Sequence, residues 1–204
     1  MTVANKITIT RIFISLVVFV MLWINTFATI VTGIVLFMLA TVSDVIDGII
    51  ARKTKTTTSF GAIADPFADK ILIMAAFLAF AAIKEINVPL WGVFIIMLRE
   101  LTISTLRALA ALHGKVMKAD SYAKLKTAVQ MVCAIIIMLL LLLLKAKANA
   151  VIANTPLKWL YSNAPGISFW LTIITARVTL LRGIIYIFNN FNFLRKSWSK
   201  KTSK

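Results

Sequence analysis

Six long apolar stretches alternate with short polar breaks along this sequence, at roughly 11–25, 28–50, 64–83, 89–110, 125–144 and 167–190. Each approaches the ~20 residues a helix needs to cross the hydrocarbon core of a bilayer. The breaks are Asn25-Thr26, Lys53 to Ser59, Asn87-Val88-Pro89, His113 to Asp120 and Asn149 to Gly166. No repeat, low-complexity linker or shift of composition divides the chain, so residues 1–204 read as one domain. The pattern predicts an all-α integral membrane protein with six transmembrane helices.

The first stretch resembles a signal peptide in starting with Lys6 and Arg11 and then turning apolar. No small-residue cleavage pattern follows it, and the second stretch begins almost at once. It is therefore expected to stay as a helix. Its first turns, Asn5 to Arg11, mix polar and apolar residues, which predicts a short amphipathic N-terminal segment along the membrane surface.

Composition narrows the class. Hydrophobic residues make up 60% and charged residues 15%, and the mean hydropathy is +0.92. A soluble domain of this make-up would expose too much apolar surface to stay in solution. The single cysteine, Cys133, excludes an intrachain disulfide framework.

The formal net charge of +16 would suggest nucleic acid in a soluble protein. Here the basic residues sit between apolar stretches and in the tail from Arg195 to Lys201, where charge sets orientation and holds anionic headgroups. Membrane lipid is therefore the expected partner, and nucleic acid is not. With the N-terminus inside, fifteen of the 23 Lys and Arg residues fall on the inner side. Only Lys84, Lys145, Lys147 and Lys158 fall outside, and Lys70, Arg99, Arg177 and Arg182 lie within spans. The positive-inside bias predicts a multi-pass protein of the cell membrane with both termini cytoplasmic.

Only seven residues are acidic, and four of them, Asp44, Asp47, Asp65 and Asp69, fall in the second and third stretches toward the cytoplasmic side. A charge at the bilayer centre costs ~2.5–3.5 kcal/mol on insertion scales, so such residues face a polar cavity. Asp44, Asp47, Gly48 and Ala51 are spaced i, i+3, i+4 and i+7, and Gly61, Asp65 and Asp69 are spaced i, i+4 and i+8. Each set shares one helix face. The short segment between them makes the two helices antiparallel neighbours with opposed carboxylate faces. Four carboxylates that close repel one another unless a cation binds. Oxygen-only ligands favour Mg²⁺ or Mn²⁺, and four suffice for a pair of ions ~3.5–4 Å apart, a device suited to phosphoryl displacement. An ion-conducting or proton-relay site is the alternative on spacing alone. Gly48, Ala51 and Gly61 either allow close helix packing or leave a pocket beside the carboxylates, and their shared face favours the pocket.

The order of the residues is more specific than their spacing. Asp44-Val45-Ile46-Asp47-Gly48-Ile49-Ile50-Ala51-Arg52, eight residues, Gly61, three residues, Asp65, three residues and Asp69 match D-x2-D-G-x2-A-R-x8-G-x3-D-x3-D in full. The chain thereby resembles the CDP-alcohol phosphotransferase family. Asn5, Thr8 and Arg11 resemble the family's N-x-x-T-x-x-R opening. Arg99-Glu100 with Arg107 resembles an R-E-x6-R helix, and Ala123-Lys124-Leu125-Lys126-Thr127 with Gln130 resembles G-K-x-K-T-x-x-Q, with Ala123 in place of the usual glycine. These two segments are similar to the branch of the family whose acceptor is glycerol 3-phosphate. Arg182-Gly183 stands where that branch has Ser-Gly.

The resemblance implies a transferase with CDP-diacylglycerol as donor and glycerol 3-phosphate as acceptor. Asp44, Asp47, Asp65 and Asp69 would hold two divalent cations, with Asp69 also the base. Gly48, Ala51 and Gly61 would let the nucleotide approach, and Arg52 and Thr58 would contact its phosphates or ribose. Thr8 and Arg11 would join the substrate site. The acceptor phosphate calls for a cationic pocket, for which Arg107, Lys118, Lys124, Lys126 and Arg177 are the candidates, a bidentate arginine suiting a phosphate best. Positive-inside charge is an equal reading for any one of the lysines. Arg99, Arg177 and Arg182 are costlier to place within spans, and Glu100 is an available partner for an arginine. His113 is expected to be a solvated loop residue. The Leu139 to Leu144 run reads as lipid-facing or core filler, and Trp91, Trp159, Trp170 and Trp198 as interfacial. Family members also imply a homodimer. A sister transferase using inositol phosphate, serine or phosphatidylglycerol is the second reading, and a cation channel or transporter the third. The arginine of the signature argues against the third, since ion passage has no need of it.

Overall fold

Between the first two helices the chain reverses in two residues. Asn25 takes the left-handed conformation at φ 58°, the usual way to end a helix. Thr26 then caps the next helix reciprocally with Thr29: the Thr26 hydroxyl accepts from the Thr29 N–H at 3.3 Å, and the Thr29 hydroxyl accepts from the Thr26 N–H at 3.0 Å. This is a capping box with threonine at its third position. The Asn25-Thr26 break of the sequence is thus a turn with its own chemistry.

The computed structural model describes residues 3–54, 59–112, 123–148 and 157–190, with side chains over 9–43, 70–107, 128–146 and 157–190. The described residues are helical, in the order α1 (Val3–Ile24), α2 (Phe27–Thr54), α3 (Ser59–Ala82), a 3₁₀ turn (Lys84–Ile86), α4 (Leu90–Leu112), α5 (Ala123–Ala148), α6 (Lys158–Ser162) and α7 (Ala164–Asn189). The six long helices correspond to the six apolar stretches. Three boundaries differ from expectation. The polar opening from Asn5 to Arg11 is no separate element but the first turns of an unbroken α1, because nothing in it breaks a helix. Short α6 stands in the last polar break; five residues rise only ~7.5 Å, far too little to span. Pro165 and Gly166 open α7 rather than precede it, since proline is tolerated in a first turn.

One core cluster joins the long helices: Val18 and Leu22 from α1, Ile30 and Phe37 from α2, Ala76, Phe77 and Phe80 from α3, Ile96 from α4, and Ile137 and Leu141 from α5. Among the described residues α1 packs along both α2 and α3, and α2 and α3 touch each other only sparsely. The opposed carboxylate faces expected of these two helices lie outside the described side chains. The small Ala76 and Ala79 of α3 are fully buried in the bundle.

Contacts along two further helix pairs give direction. Along α4 and α7, Gly92 meets Thr172, Arg99 meets Gly183 and Arg107 meets Tyr186. Both numbers rise together, so these helices are parallel. Along α5 and α7, Gln130 meets Thr179 and Cys133 meets Thr175. One number rises as the other falls, so these are antiparallel. At the far end from the signature, Lys145 Nζ pairs with Glu85 Oε2 at 2.7 Å, tying the end of α5 to the 3₁₀ turn.

The outer surface is apolar. Phe13, Leu16, Trp23, Leu39, Phe94, Trp170, Leu181 and Phe188 are all exposed, Phe188 to 73%. Trp91 and Trp159 are exposed as well, and Trp198 lies outside the described residues. The leucine run divides: Leu139 faces out, while Leu140 and Leu141 are buried. Among the described residues two helices are long and apolar enough to cross a membrane, Ala128–Ala146 and Ala164–Asn189, and shorter apolar helices run over Ile9–Ile24, Phe27–Ser43 and Lys70–Ala82. Such an exterior is that of a membrane protein.

Candidate active site

The signature spans the end of one helix and the start of the next. α2 continues without a break to Thr54, so Asp44, Asp47, Gly48, Ala51 and Arg52 keep the helical register the spacing requires. α3 begins at Ser59, so Gly61, Asp65 and Asp69 do likewise. The four aspartates of the signature offer only carboxylate oxygens, a chemistry that would fit hard divalent cations. The side chains of these eight residues, with those of Thr8, Lys124 and Lys126, lie outside the described residues, as do Thr58, His113 and Lys118 altogether.

Immediately after Asp69 the side chains are described. The Lys70 ammonium donates to the Ser104 hydroxyl, which in turn donates to the Glu100 backbone carbonyl at 2.6 Å. The signature end of α3 is thus fastened to α4. Sequence reasoning placed Lys70 within a span but gave it no task; its position directly after Asp69 was the available signal.

Arg11 is buried and shares a face of α1 with Ser15, Val18 and Leu22, so it points into the bundle. The Ser15 hydroxyl donates to the Arg11 carbonyl at 2.7 Å.

A polar cluster occupies the junction of α4, α5 and α7. Arg99 Nη1 donates to Glu100 Oε1 at 2.8 Å, as expected of an arginine that must be matched within a span. Adjacent helical residues do not face each other, so this pairing requires the guanidinium to fold back across the helix. Gln130 Nε2 reaches the same carboxylate oxygen at 3.4 Å and Thr179 Oγ1 at 3.3 Å. All four residues are buried.

The expected acceptor-site cations part company. Arg107 is exposed two turns beyond Glu100, with its guanidinium 6.0 Å from the centre of the Tyr186 ring. Lys124 and Lys126 lie in the first turn of α5, across the same end of the bundle. Arg177 lies elsewhere. It shares an exposed face of α7 with Trp170, Ile174, Leu181, Ile184 and Phe188, spaced i, i+4, i+7, i+11, i+14 and i+18. Tyr186 is nine residues on, half a turn around the helix, so Arg177 and Arg107 occupy opposite sides of α7.

An apolar groove of about 610 Å³ runs between α1, α3 and α4, lined among others by Ile12, Leu16, Ile71, Met74, Leu78 and Met97. Its α3 wall begins two residues after Asp69.

Comparison with known proteins gives the same direction. The sequence profile of the CDP-alcohol phosphatidyltransferase family matches residues 1–181. A CDP-diacylglycerol–glycerol-3-phosphate 3-phosphatidyltransferase of Rickettsia typhi is 37% identical over 134 residues, 66% of this chain and 74% of that protein. A Bacillus subtilis protein of the same name is 28% identical over 165 residues, 81% of this chain and 76% of its own length. A cardiolipin synthase (CMP-forming) of Oryza sativa is 35% identical and shares 74% of this chain but 48% of its own length. This chain belongs to the CDP-alcohol phosphatidyltransferase family.

Proposed function

We propose that this protein transfers the phosphatidyl group of CDP-diacylglycerol to glycerol 3-phosphate, giving phosphatidylglycerophosphate and CMP. The observation that carries this is the complete signature laid along unbroken helices in a chain whose relatives bear that activity in their names. Asp44, Asp47, Asp65 and Asp69 would hold two divalent cations. Bound Mg²⁺ or Mn²⁺ would neutralise charge that builds on the phosphoryl oxygens. The Asp69 carboxylate takes the proton from the acceptor hydroxyl. That oxygen attacks the phosphorus bearing the diacylglycerol, the bond to the CMP oxygen breaks, and CMP leaves with the electron pair. Gly48, Ala51 and Gly61 leave room for the nucleotide, and Arg52, Thr58, Thr8 and Arg11 bind donor groups. Arg107, Lys118, Lys124 and Lys126 bind the acceptor phosphate.

The six long helices cross the cell membrane with both termini cytoplasmic and the signature at the cytoplasmic face. The parallel run of α4 and α7, with α5 antiparallel to α7, supports that topology, and so does the meeting of Glu85 and Lys145 at the opposite end. The protein acts as a homodimer.

The rice relative favours one other reading, with phosphatidylglycerol as acceptor. CMP release from CDP-diacylglycerol, measured with glycerol 3-phosphate, phosphatidylglycerol, serine and inositol phosphate in turn, separates them. Release with glycerol 3-phosphate alone is the expected result; release only with another acceptor would replace the reading.

A further inference from the structure

We propose that Gln130 and Thr179 are positioning residues that hold the acceptor-binding end of α4, α5 and α7 in register, an inference that rests on the glycerol 3-phosphate reading above. Glu100 Oε1 on α4 accepts from Arg99 and from Gln130 of α5, and the same Gln130 amide reaches Thr179 of α7. An amide nitrogen has two protons, so Nε2 can serve both oxygens at once. The three helices are joined through one buried nitrogen.

Packing alone does not require such a cluster. A buried ion pair is weak evidence for stability, and its best-attested use is to fix register. Leucine or valine in place of Gln130 and Thr179 would fill similar volume at no desolvation cost. The location gives the cluster its consequence. Gln130 stands four residues after Lys126 and six after Lys124, within two turns on α5. Glu100 stands seven residues before Arg107 on α4, and Thr179 seven before Tyr186 on α7. The Arg107–Tyr186 contact therefore lies two turns beyond the cluster on both parallel helices. A slip of α5 against α4 and α7 would move the lysine end of α5 away from Arg107. Displacements near 1 Å in a binding constellation are costly to turnover. Among the described side chains the cluster's own hydrogen bonds join α4, α5 and α7, while Lys70 of α3 reaches the backbone of this stretch of α4 by way of Ser104; the acceptor-side cations Lys124, Lys126 and Arg107 continue from the cluster on α5 and α4.

The test is the kinetics of purified Thr179→Val, Thr179→Ser and Gln130→Leu. Thr179→Val keeps the shape and removes the hydroxyl; Thr179→Ser keeps the hydroxyl. Thr179→Val and Gln130→Leu are expected to raise KM for glycerol 3-phosphate about ten-fold, with KM for CDP-diacylglycerol within about two-fold of wild type. Thr179→Ser is expected to restore the wild-type acceptor KM. An unchanged acceptor KM in Thr179→Val, or both KM values rising together, would overturn the proposal. Should Gln130→Leu fail to accumulate, the Thr179 pair decides. Wild-type protein that uses a different acceptor would overturn the functional reading alone, and the same KM split is then measured on that acceptor. Calorimetric binding of glycerol 3-phosphate to the same proteins reads the effect without turnover: unchanged affinity in Thr179→Val contradicts the proposal.

Discussion

Arg99 lies across Gly183: a Cβ built on that glycine would stand 2.7 Å from Arg99 Cγ. No ordinary contact is so short, so the absence of a side chain at position 183 is what lets the arginine stem pass between α4 and α7 and turn back to Glu100. Of the Ser-Gly pair that the resemblance leads one to expect here, Arg182-Gly183 keeps the second residue, and the close approach of Arg99 gives that glycine its reason.

Gly183→Ala should therefore destabilise the fold, by about 1–3 kcal/mol as overpacking usually does. Thermal unfolding of the detergent-solubilised protein checks this. A Tm equal to wild type would mean that Arg99 moves aside freely.

Asp69 and Asp44 should separate in their effects. Asp69→Asn is expected to abolish CMP release while leaving much of the CDP-diacylglycerol affinity, because the base acts on the acceptor. Asp44→Asn should weaken both, since a lost cation ligand weakens the hold on the pyrophosphate. Equal losses of donor affinity in the two variants would remove the special role of Asp69.

The division of the basic residues yields a contrast between Arg107 and Arg177. Losing a charge-assisted contact to a phosphate costs on the order of 1.5–3 kcal/mol, roughly ten- to a hundred-fold in apparent affinity. Arg107→Ala and Lys124→Ala should raise KM for glycerol 3-phosphate by that factor, with little change for CDP-diacylglycerol. Arg177→Ala should leave the acceptor KM within about two-fold, because Arg177 faces away from Arg107. A large effect at Arg177 and none at Arg107 would move the acceptor site to the other side of α7.

Cation dependence follows from the two-cation site proposed for the four aspartates. CMP release should vanish in excess chelator and return with Mg²⁺ or Mn²⁺. Turnover that persists in chelator would contradict the two-cation reading.

The helices were legible because twenty-residue apolar runs and their polar breaks are local features, and Asn25-Thr26 carries its turn chemistry in two letters. That Glu100 would match an arginine within a span was legible, because a guanidinium there needs a partner; that the partner is the adjacent Arg99 was not, since neighbouring helical residues point apart. Gln130 was visible only as a motif position. Its bonds to Glu100 and Thr179 join residues 30 and 49 positions apart, which no local periodicity reports. The same holds for Lys70 and Ser104. Arg177 shows a different gap: its face could be drawn from spacing, but in an apolar helix nothing local says which face is inside. Leu139 and Leu140 make the point at adjacent positions, one exposed and one buried.

The central claim is the transfer itself, and it is tested most directly by supplying purified protein with CDP-diacylglycerol, Mg²⁺ and radiolabelled glycerol 3-phosphate and following label into the organic-extractable lipid. Label should enter lipid as phosphatidylglycerophosphate, matched mole for mole by CMP, and should fail to enter with Asp69→Asn. Label that stays in the aqueous phase while CMP is released with another acceptor would contradict the account.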